Sequence, residues 1–254
     1  MHHARLSFVF LLAVGACVDD AEPAARGDRS QALVNGALDI GHYQAVMVGQ
    51  RCTGTLVGPR TVVTAGHCLW GYPDRVTVEG RMQTFEWPDW QSGGGSWSPW
   101  WYPHDEFFTV DGTAVVHPGY DAAVIILDAP VGSAFADLAS STPIGETITL
   151  VGYGFTGGAS WDYGTLRTGA NVITGLYPGF PEYLVNEGAP GGPTLCYGDS
   201  GGPGFLGGAT SSCMVGIQTN TGNADCTEPL GLQLRVELVA DWIRAQSPDW
   251  IGGC

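Results

Sequence analysis

Residues 198–203 read Gly198-Asp199-Ser200-Gly201-Gly202-Pro203, a serine held in a turn rich in glycine. A serine hydroxyl is a poor nucleophile at neutral pH unless a base takes its proton, and the oxyanion that it forms needs hydrogen-bond donors. Glycine lets the backbone turn sharply and approach a substrate closely. The motif therefore predicts a nucleophilic serine, provided that a histidine and a carboxylate come from elsewhere in the chain.

Two further motifs supply these groups. One is Thr64-Ala65-Gly66-His67-Cys68, which follows an apolar run, and the other is Asp121-Ala122-Ala123-Val124, in which an acid precedes an apolar run. A neutral imidazole accepts a serine proton and later donates it to a leaving amine. A buried carboxylate fixes the imidazole tautomer and stabilises its positive form. The three motifs together, in the order His, Asp, Ser, predict hydrolysis by an activated serine.

The segments between these motifs are short apolar runs rich in β-branched residues and separated by Gly, Pro, Asp or Ser. This pattern indicates an all-β protein, either a sandwich or a pair of barrels. The runs are Ala45–Val48, Thr61–Thr64, Arg75–Val78, Ala122–Leu127, Thr147–Val151, Asn171–Thr174 and Met214–Gln218.

Two segments depart from the strand pattern. Residues 236–245 are predicted to form a helix, because Val236, Val239, Ala240 and Ile243 share one helical face. Residues 87–108 contain five tryptophans around a Ser-Gly-rich centre and are predicted to form a long surface loop. Its aromatic side chains either pack against the protein or contact substrate, and the sequence leaves both roles open.

Composition narrows the functional classes. The chain has 254 residues, of which 44% are hydrophobic and 14% charged, as expected for a globular protein. The formal net charge of −15 argues against nucleic acid as a partner, because binding it needs a basic face. No His, Cys and Asp cluster has metal-ligand spacing, and no phosphate-binding glycine loop is present, so we expect no cofactor.

The first 32 residues are predicted to direct export. Arg5 precedes the apolar stretch 6–16, which is too short to span a bilayer, so residues 1–17 read as a signal peptide. The run Val14-Gly15-Ala16-Cys17 resembles a bacterial lipobox, in which Cys17 would carry a lipid anchor. Ordinary signal cleavage and secretion remain the alternative. Residues 18–32 read as a linker or propeptide. Setting Cys17 apart leaves six cysteines, enough for three bridges.

The three motifs resemble those of the trypsin/chymotrypsin-like serine proteases, and the matching pattern runs from about residue 33 to residue 243. The resemblance implies that residues 33–254 form two six-stranded antiparallel Greek-key barrels, with the active site in the cleft between them and a helix at the C-terminus. It implies His67 as general base, Asp121 as its orienter and Ser200 as nucleophile. The backbone N–H groups of Gly198 and Ser200 would form the oxyanion hole.

The resemblance also implies partners and disulfides. Protein or peptide substrates are expected, a protease inhibitor is an admissible partner, and the chain is expected to be a monomer that meets a membrane only through a lipid on Cys17. The family's histidine-loop bridge corresponds to Cys52–Cys68, and the bridge that frames its specificity pocket corresponds to Cys196–Cys226. Cys213 and Cys254 have no family counterpart, and we hypothesise that they pair with each other.

Activation is a further expectation from the resemblance. Leu33-Val34-Asn35-Gly36 resembles the N-terminal motif that cleavage frees in this family, and the new ammonium of Leu33 would pair with Asp199. This predicts a zymogen that is cut after Ala32. The family commonly has Arg or Lys at the cut, whereas Arg29 lies three residues earlier than this site requires.

Alignment through the serine motif gives a prediction for specificity. Thr194 falls at the pocket base, where trypsin-type enzymes carry Asp, and a threonine cannot pair with a substrate Lys or Arg. Thr219, Thr221 and Gly231 fall on the walls, which favours small to medium uncharged side chains. Asp225 falls near the rim and leaves a basic residue as the alternative.

Three functions fit the motifs. An active endopeptidase is favoured because all three triad residues are present. An inactive binding or regulatory protein on the same fold is a second reading, and an esterase that uses the same triad is a third.

Overall fold

The computed structural model describes residues 33–71, 74–86, 102–132, 134–156 and 163–254. These residues are mostly in strands. The strands are β1 (Ala37–Leu38), β2 (Ala45–Val48), β3 (Cys52–Gly58), β4 (Thr61–Thr64), β5 (Arg75–Glu86), β6 (Tyr102–Val116), β7 (Ala123–Leu127), β8 (Asp137–Leu138), β9 (Thr147–Gly152), β10 (Arg167–Tyr177), β11 (Phe180–Glu187), β12 (Pro203–Leu206), β13 (Cys213–Thr221) and β14 (Leu230–Arg235).

The N-terminal half forms a closed antiparallel barrel in the order β2-β3-β4-β7-β6-β5. Every residue of β3 and β4 is buried, because one face points into the barrel and the other packs against the rest of the protein. Branched aliphatic side chains fill the interior, among them Leu56, Val62, Val78 and Ile125, each fully buried. The predicted runs of β-branched residues therefore become the walls of this barrel.

The C-terminal half forms the second barrel. Its strands follow the order β10-β11-β14-β13-β12-β9, and β9 pairs back to β10 to close the ring. β1 adds to β10, and β8 pairs with β13 in parallel. The expectation of two six-stranded antiparallel barrels is confirmed. The two barrels share one core, in which Phe205, Met214 and Leu234 of the second pack with the buried residues of the first.

The chain ends in a short helical segment. A 3₁₀ turn over Val236–Leu238 leads into helix α1 (Ala240–Gln246), and the predicted apolar face is buried against the core. A disulfide between Cys213 and Cys254, with an S–S distance of 2.04 Å, fixes the C-terminus to β13. None of the helices in the described part of the chain is long and apolar enough to cross a membrane.

The prediction of a loop over residues 87–108 was wrong for its last part. Residues 102–108 belong to β6 and pair with residues 80–86 of β5. The extended strand β5 offers a free ladder of N–H and C=O groups, and pairing satisfies them better than a loop would. The rest of the tryptophan-rich segment, residues 87–101, lies outside the described residues.

Candidate active site

His67 and Asp121 form a hydrogen-bonded pair at the edge of the first barrel. His67 lies in a 3₁₀ turn directly after β4, and Asp121 lies just before β7, the strand that pairs with β4. One carboxylate oxygen of Asp121 accepts the backbone N–H of His67 at 2.8 Å, and the other contacts its Nδ1 at 2.8 Å. The neighbouring strands thus bring together two motifs that are 54 residues apart.

The carboxylate of Asp121 is stabilised in its ionised form. Burial raises its pKa. The hydrogen bonds from His67, the charge of that imidazole and the backbone N–H of Gly66 lower the pKa by more. The net result is a pKa of Asp121 below its ordinary value. An ionised carboxylate on Nδ1 leaves Nε2 as the proton-accepting nitrogen of His67.

A second Asp–His pair lies elsewhere in the core. Asp39 and His42 are both buried, the carboxylate contacts Nδ1 of the imidazole, and the His42 ring stacks on Phe205 at a centroid distance of 5.3 Å. His67 lines the same cavity as Ser200, whereas His42 is not among the lining residues. Of the two histidines, His67 is therefore the one placed beside Ser200, whereas the Asp39–His42 pair is buried in the core.

Ser200 is held by contacts from both barrels. Its carbonyl oxygen accepts the backbone N–H of Thr53 at 2.9 Å, and the N–H of Gly201 donates to Gln218 at 2.7 Å. Gly201 has φ +82°, and a Cβ there would lie 2.0 Å from Oγ1 of Thr64. Only glycine fits at this position, which explains the first glycine after the serine in the motif.

The turn before Ser200 presents two backbone donors. Within the described residues, the N–H groups of Gly198 and Ser200 have no hydrogen-bond acceptor, while Asp199 N–H closes the turn onto Cys196 at 3.1 Å. Gly198 has φ +94°, and a Cβ would lie 2.9 Å from both the Cα of Gly154 and the Tyr163 ring. Two unpaired N–H groups in one turn, those of Gly198 and Ser200, suit a developing oxyanion.

Asp199 is a fully buried carboxylate directly behind this turn. Burial raises its pKa to about 7, against the lowering effect of backbone hydrogen bonds from Cys196, Gly154 and Leu33 and of the charge of Arg167. Oδ1 accepts from Gly154 at 2.9 Å and Oδ2 from Cys196 at 2.8 Å. The structure therefore brings the predicted pair Leu33 and Asp199 into contact through the backbone nitrogen of Leu33.

A cavity of about 240 Å³ lies beside Ser200. Thr219 and Thr221, two of the predicted wall residues, line it, but Thr194 and Gly231 do not. Thr194 is buried, with its Oγ1 directed at the carbonyl of Gly192. The lining residues are His67, Leu195, Cys196, Tyr197, Asp199, Ser200, Gln218, Thr219, Asn220 and Thr221.

Leu195, and not Thr194, lines this cavity. It is only 3% exposed, and a Cβ on Gly231 would lie 2.6 Å from its Cδ1, so the leucine fills the space in front of Gly231. Gln218 forms part of the wall, and its Nε2 is held by the carbonyls of Val151 and Pro203. Among the described residues that line the cavity, Asp199 is the one carboxylate, and both of its oxygens accept backbone hydrogen bonds and are not available to a substrate cation.

Sequence reasoning missed Leu195, Tyr197 and Gln218 as cavity residues. Leu195 and Tyr197 flank Cys196 directly, so proximity to the serine motif was the available signal. Gln218 carried a weaker signal, because a glutamine within the apolar run Met214–Gln218 points to a special position for its amide. Asp225, the predicted rim residue, is not part of the lining.

Two other features of the described residues carry no catalytic role. A larger cavity of about 520 Å³ lies between Arg81, Phe107 and Tyr153 and contains no triad residue. Cys52, Cys68 and His67 come close enough to suggest metal ligands. The two sulfurs form a disulfide of 2.06 Å, however, so they are not thiolates and cannot bind a metal in that way.

The arrangement of an Asp–His pair, a serine in the same cavity and two free backbone donors defines a serine-type peptidase. The sequence model of the trypsin family matches residues 34–243, so the chain belongs to the trypsin family of serine proteases and is a hydrolase of this kind.

Characterised relatives agree. The chain is 33% identical over 172 residues to a trypsin of Saccharopolyspora erythraea, which covers 61% of this chain and 70% of that protein. It is 26% identical to the thrombin-like enzyme CPI-enzyme 2 of Gloydius ussuriensis, over 77% of each chain. It is 28% identical to a glutamyl endopeptidase of Bacillus licheniformis, over 44% of this chain and 36% of that protein.

Proposed function

We propose that this protein is an exported endopeptidase that hydrolyses peptide bonds through an acyl-enzyme on Ser200. The observation that carries the proposal is that His67, held by Asp121 through a 2.8 Å contact on Nδ1, lines one cavity with Ser200. Because Asp121 occupies Nδ1, Nε2 is the nitrogen that can serve as general base.

The first half-reaction forms the ester. His67 Nε2 takes the hydroxyl proton of Ser200 while Oγ attacks the carbonyl carbon of the substrate, and the oxyanion lies against the N–H groups of Gly198 and Ser200. The imidazolium, stabilised by Asp121, then donates that proton to the leaving nitrogen. The C–N bond breaks, and the acyl group remains bonded to Oγ.

The second half-reaction restores the enzyme. A water molecule gives a proton to His67 Nε2 as its oxygen attacks the ester carbonyl, and the same two N–H groups hold the second oxyanion. The bond to Oγ then breaks, and Ser200 takes the proton back from His67.

The cavity supports a preference for small to medium uncharged residues on the acyl side of the scissile bond. Leu195 lines it with an apolar surface, and the one described carboxylate in the lining, Asp199, has both oxygens engaged by backbone N–H groups. Burying a Lys or Arg head against leucine without a partner is costly. The relatives include a trypsin and a glutamyl endopeptidase, so their names indicate no single side-chain preference, and the preference proposed for this chain rests on its own cavity.

Export rests on separate support. Three disulfides, Cys52–Cys68, Cys196–Cys226 and Cys213–Cys254, are present. Such bonds persist in oxidising compartments outside the cytosol. Together with the apolar stretch 6–16, they support secretion or lipid anchoring at Cys17. The signal peptide (1–17) and the linker or propeptide (18–32) lie outside the described residues.

The test of the activity is covalent labelling. An organophosphonate probe should label the active protein with a stoichiometry close to one, and the label should map to Ser200. The labelled protein should no longer digest casein. Casein digestion separates a peptidase from an esterase, because an esterase would cleave ester substrates while leaving casein intact.

The control for labelling is Ser200→Ala, which should take up no probe. Folding of this variant is checked by its thermal unfolding, since loss of one half-buried hydroxyl should change the Tm little. If the wild-type protein takes up no probe under conditions in which it stays folded, the proposed activity is wrong.

Peptide substrates that differ only in the residue before the scissile bond test the preference. We expect kcat/KM to be higher by about 10-fold or more for Leu than for Lys, because only lysine brings an ammonium that must be desolvated. Ala and Val should also exceed Arg. Cleavage after Arg at a rate equal to that after Leu would overturn the preference and point to Asp225 as a rim partner.

A further inference from the structure

Trp70 stands beside the imidazole of His67 and is largely exposed. The 3₁₀ turn over Gly66–Leu69 ends at Trp70, whose side chain is 74% exposed. The indole approaches the His67 ring edge-on, at a centroid distance of 6.3 Å and an angle of 71°. A large apolar side chain next to a catalytic base is therefore available to a substrate.

The backbone that carries Trp70 is firmly held. One guanidinium nitrogen of Arg51, Nη2, donates to the carbonyl of Trp70 at 2.7 Å and to that of Cys68 at 3.1 Å. The Cys52–Cys68 disulfide ties the same turn to β3. The position of the indole is thus set by the fold, so little ordering is required when a substrate contacts it.

Tyr197 provides a second aromatic side chain at the cavity, from the other barrel. It is 59% exposed and lines the cavity of Ser200, and its carbonyl accepts the N–H of Phe155 at 2.8 Å. Tyr163 packs its ring against Gly198, and its hydroxyl donates to the carbonyl of Cys52 at 2.9 Å. This tyrosine joins the oxyanion turn to the disulfide below Trp70.

The chemistry of the leaving group indicates a function for Trp70. The departing amine takes its proton from Nε2 of His67, so the residue on the carboxyl side of the scissile bond must pass next to that imidazole. Trp70 contacts the same imidazole. The acyl-side residue lies in the cavity that Leu195 and Tyr197 line, whereas Trp70 is outside that lining, so the two sides of the substrate meet different surfaces.

We propose that Trp70 forms a leaving-group subsite that selects apolar residues, above all aromatic ones, on the carboxyl side of the scissile bond. The proposal rests on the function proposed above, because it concerns the same acyl-enzyme. Aromatic pairs gain from offset or edge-on contacts beyond their buried area, which favours Phe over Leu and Leu over Gly.

Acyl transfer to added amines tests the subsite directly. The active protein produced from the full chain is acylated with a peptide methyl ester, and the acyl-enzyme is divided between water and an amino-acid amide. Chromatography gives the ratio of new peptide to hydrolysed acid for each amide. We expect phenylalanine amide to capture the acyl group about 10-fold better than glycine amide, with leucine amide between them.

The variants assign the preference to the subsite. Trp70→Ala should reduce the Phe-to-Gly capture ratio to within about 2- to 3-fold of one, and Trp70→Phe should retain part of it. If Trp70→Ala does not fold, Trp70→Leu, which keeps an apolar side chain without the ring, should lower the ratio instead. Trp250→Ala is the matched control, because Trp250 is 88% exposed and does not line the cavity, and its ratio should equal that of the wild type.

The outcomes separate this inference from the proposed function. If the methyl ester is not hydrolysed at all, no acyl-enzyme forms and the proposed function fails. If it is hydrolysed but phenylalanine and glycine amides capture the acyl group equally, only the subsite is wrong. Preferred capture by aspartate amide would also overturn the subsite, because it would assign leaving-group recognition to Arg51 and not to Trp70.

Discussion

Replacing Asp121 by Asn should lower kcat/KM for peptide hydrolysis by about 10⁴-fold at pH 7, with little change in the backbone. In the wild type, both carboxylate oxygens accept hydrogen bonds from His67, one from the backbone N–H and one at Nδ1. An amide has one acceptor oxygen. Because the backbone N–H of His67 can only donate, it takes that oxygen as its acceptor. The NH₂ group then faces Nδ1, which must become the acceptor.

The consequence is the wrong imidazole tautomer. With Nδ1 unprotonated, the proton of neutral His67 moves to Nε2, and Nε2 can no longer take the hydroxyl proton of Ser200. The measurement is kcat/KM with a peptide substrate at pH 7, referred to protein concentration and to a Tm that confirms folding. Loss of more than about 10⁶-fold would indicate a structural collapse and not a tautomer effect.

Asp39→Asn is the matched control for Asp121→Asn. Asp39 contacts Nδ1 of His42 as Asp121 contacts Nδ1 of His67, and both members of the first pair are buried. We expect this variant to lose stability, since its pair lies in the core, but its folded fraction should keep kcat/KM within a few-fold of the wild type. If Asp39→Asn lost activity as severely as Asp121→Asn should, the assignment of His67 as base would be wrong.

The features that sequence predicted well are local in origin. Alternating short apolar runs indicate strands wherever they occur, so β2, β4 and β7 were expected within one residue of their observed bounds. Ser200, Gly201 and Gly198 share one turn, and the need for positive φ at both glycines follows from the motif itself. His67 and Asp121 were predicted because each lies in a local motif beside an apolar run, and the pairing of β4 with β7 then accounts for their meeting in the structure.

The features that sequence missed depend on long-range packing. Leu195 closes the cavity because Gly231 of β14 leaves room for it, and that contact spans 36 positions of the chain. Residues 102–108 became strand because β5 continues far enough to pair with them, although their own sequence favours a loop. Trp70 was not singled out, since its role depends on the edge-on contact with His67 and not on a motif.

A chain that begins at Leu33 should be more active than the same chain extended by Ala32, by about 10²-fold or more at pH 8. Asp199 is fully buried, and its pKa of about 7 means that it is ionised at pH 8. In the extended chain, the nitrogen of Leu33 is a neutral amide that donates one hydrogen bond to this carboxylate. In the shorter chain, the same nitrogen is an ammonium, which compensates the buried charge.

The pH dependence of stability gives an independent measurement with a definite sign. The folded pKa of Asp199 is raised from 3.8 to about 7 by burial, so the extended chain binds an extra proton when folded. The stabilisation that Asp199 contributes to the extended chain is fully present below about pH 4 and is lost as pH rises through about 7. The chain beginning at Leu33 should lose less stability between about pH 4 and pH 7, because the ammonium of Leu33 favours the ionised carboxylate of Asp199.

The control that isolates the ion pair is Asp199→Asn, made in both chains. Asparagine keeps the shape but carries no charge, so the two chain lengths should then agree in activity and in the pH dependence of unfolding. Urea unfolding at pH 5 and pH 8 supplies the stabilities, and kcat/KM at pH 8 supplies the activities. Equal activity of the chains that retain Asp199, with equal loss of stability between pH 5 and pH 8, would show that Leu33 does not provide the charge that Asp199 needs. The oxyanion turn would then be held by its backbone hydrogen bonds to Cys196 and Gly154 alone, and the protein would need no cleavage after Ala32 to become active.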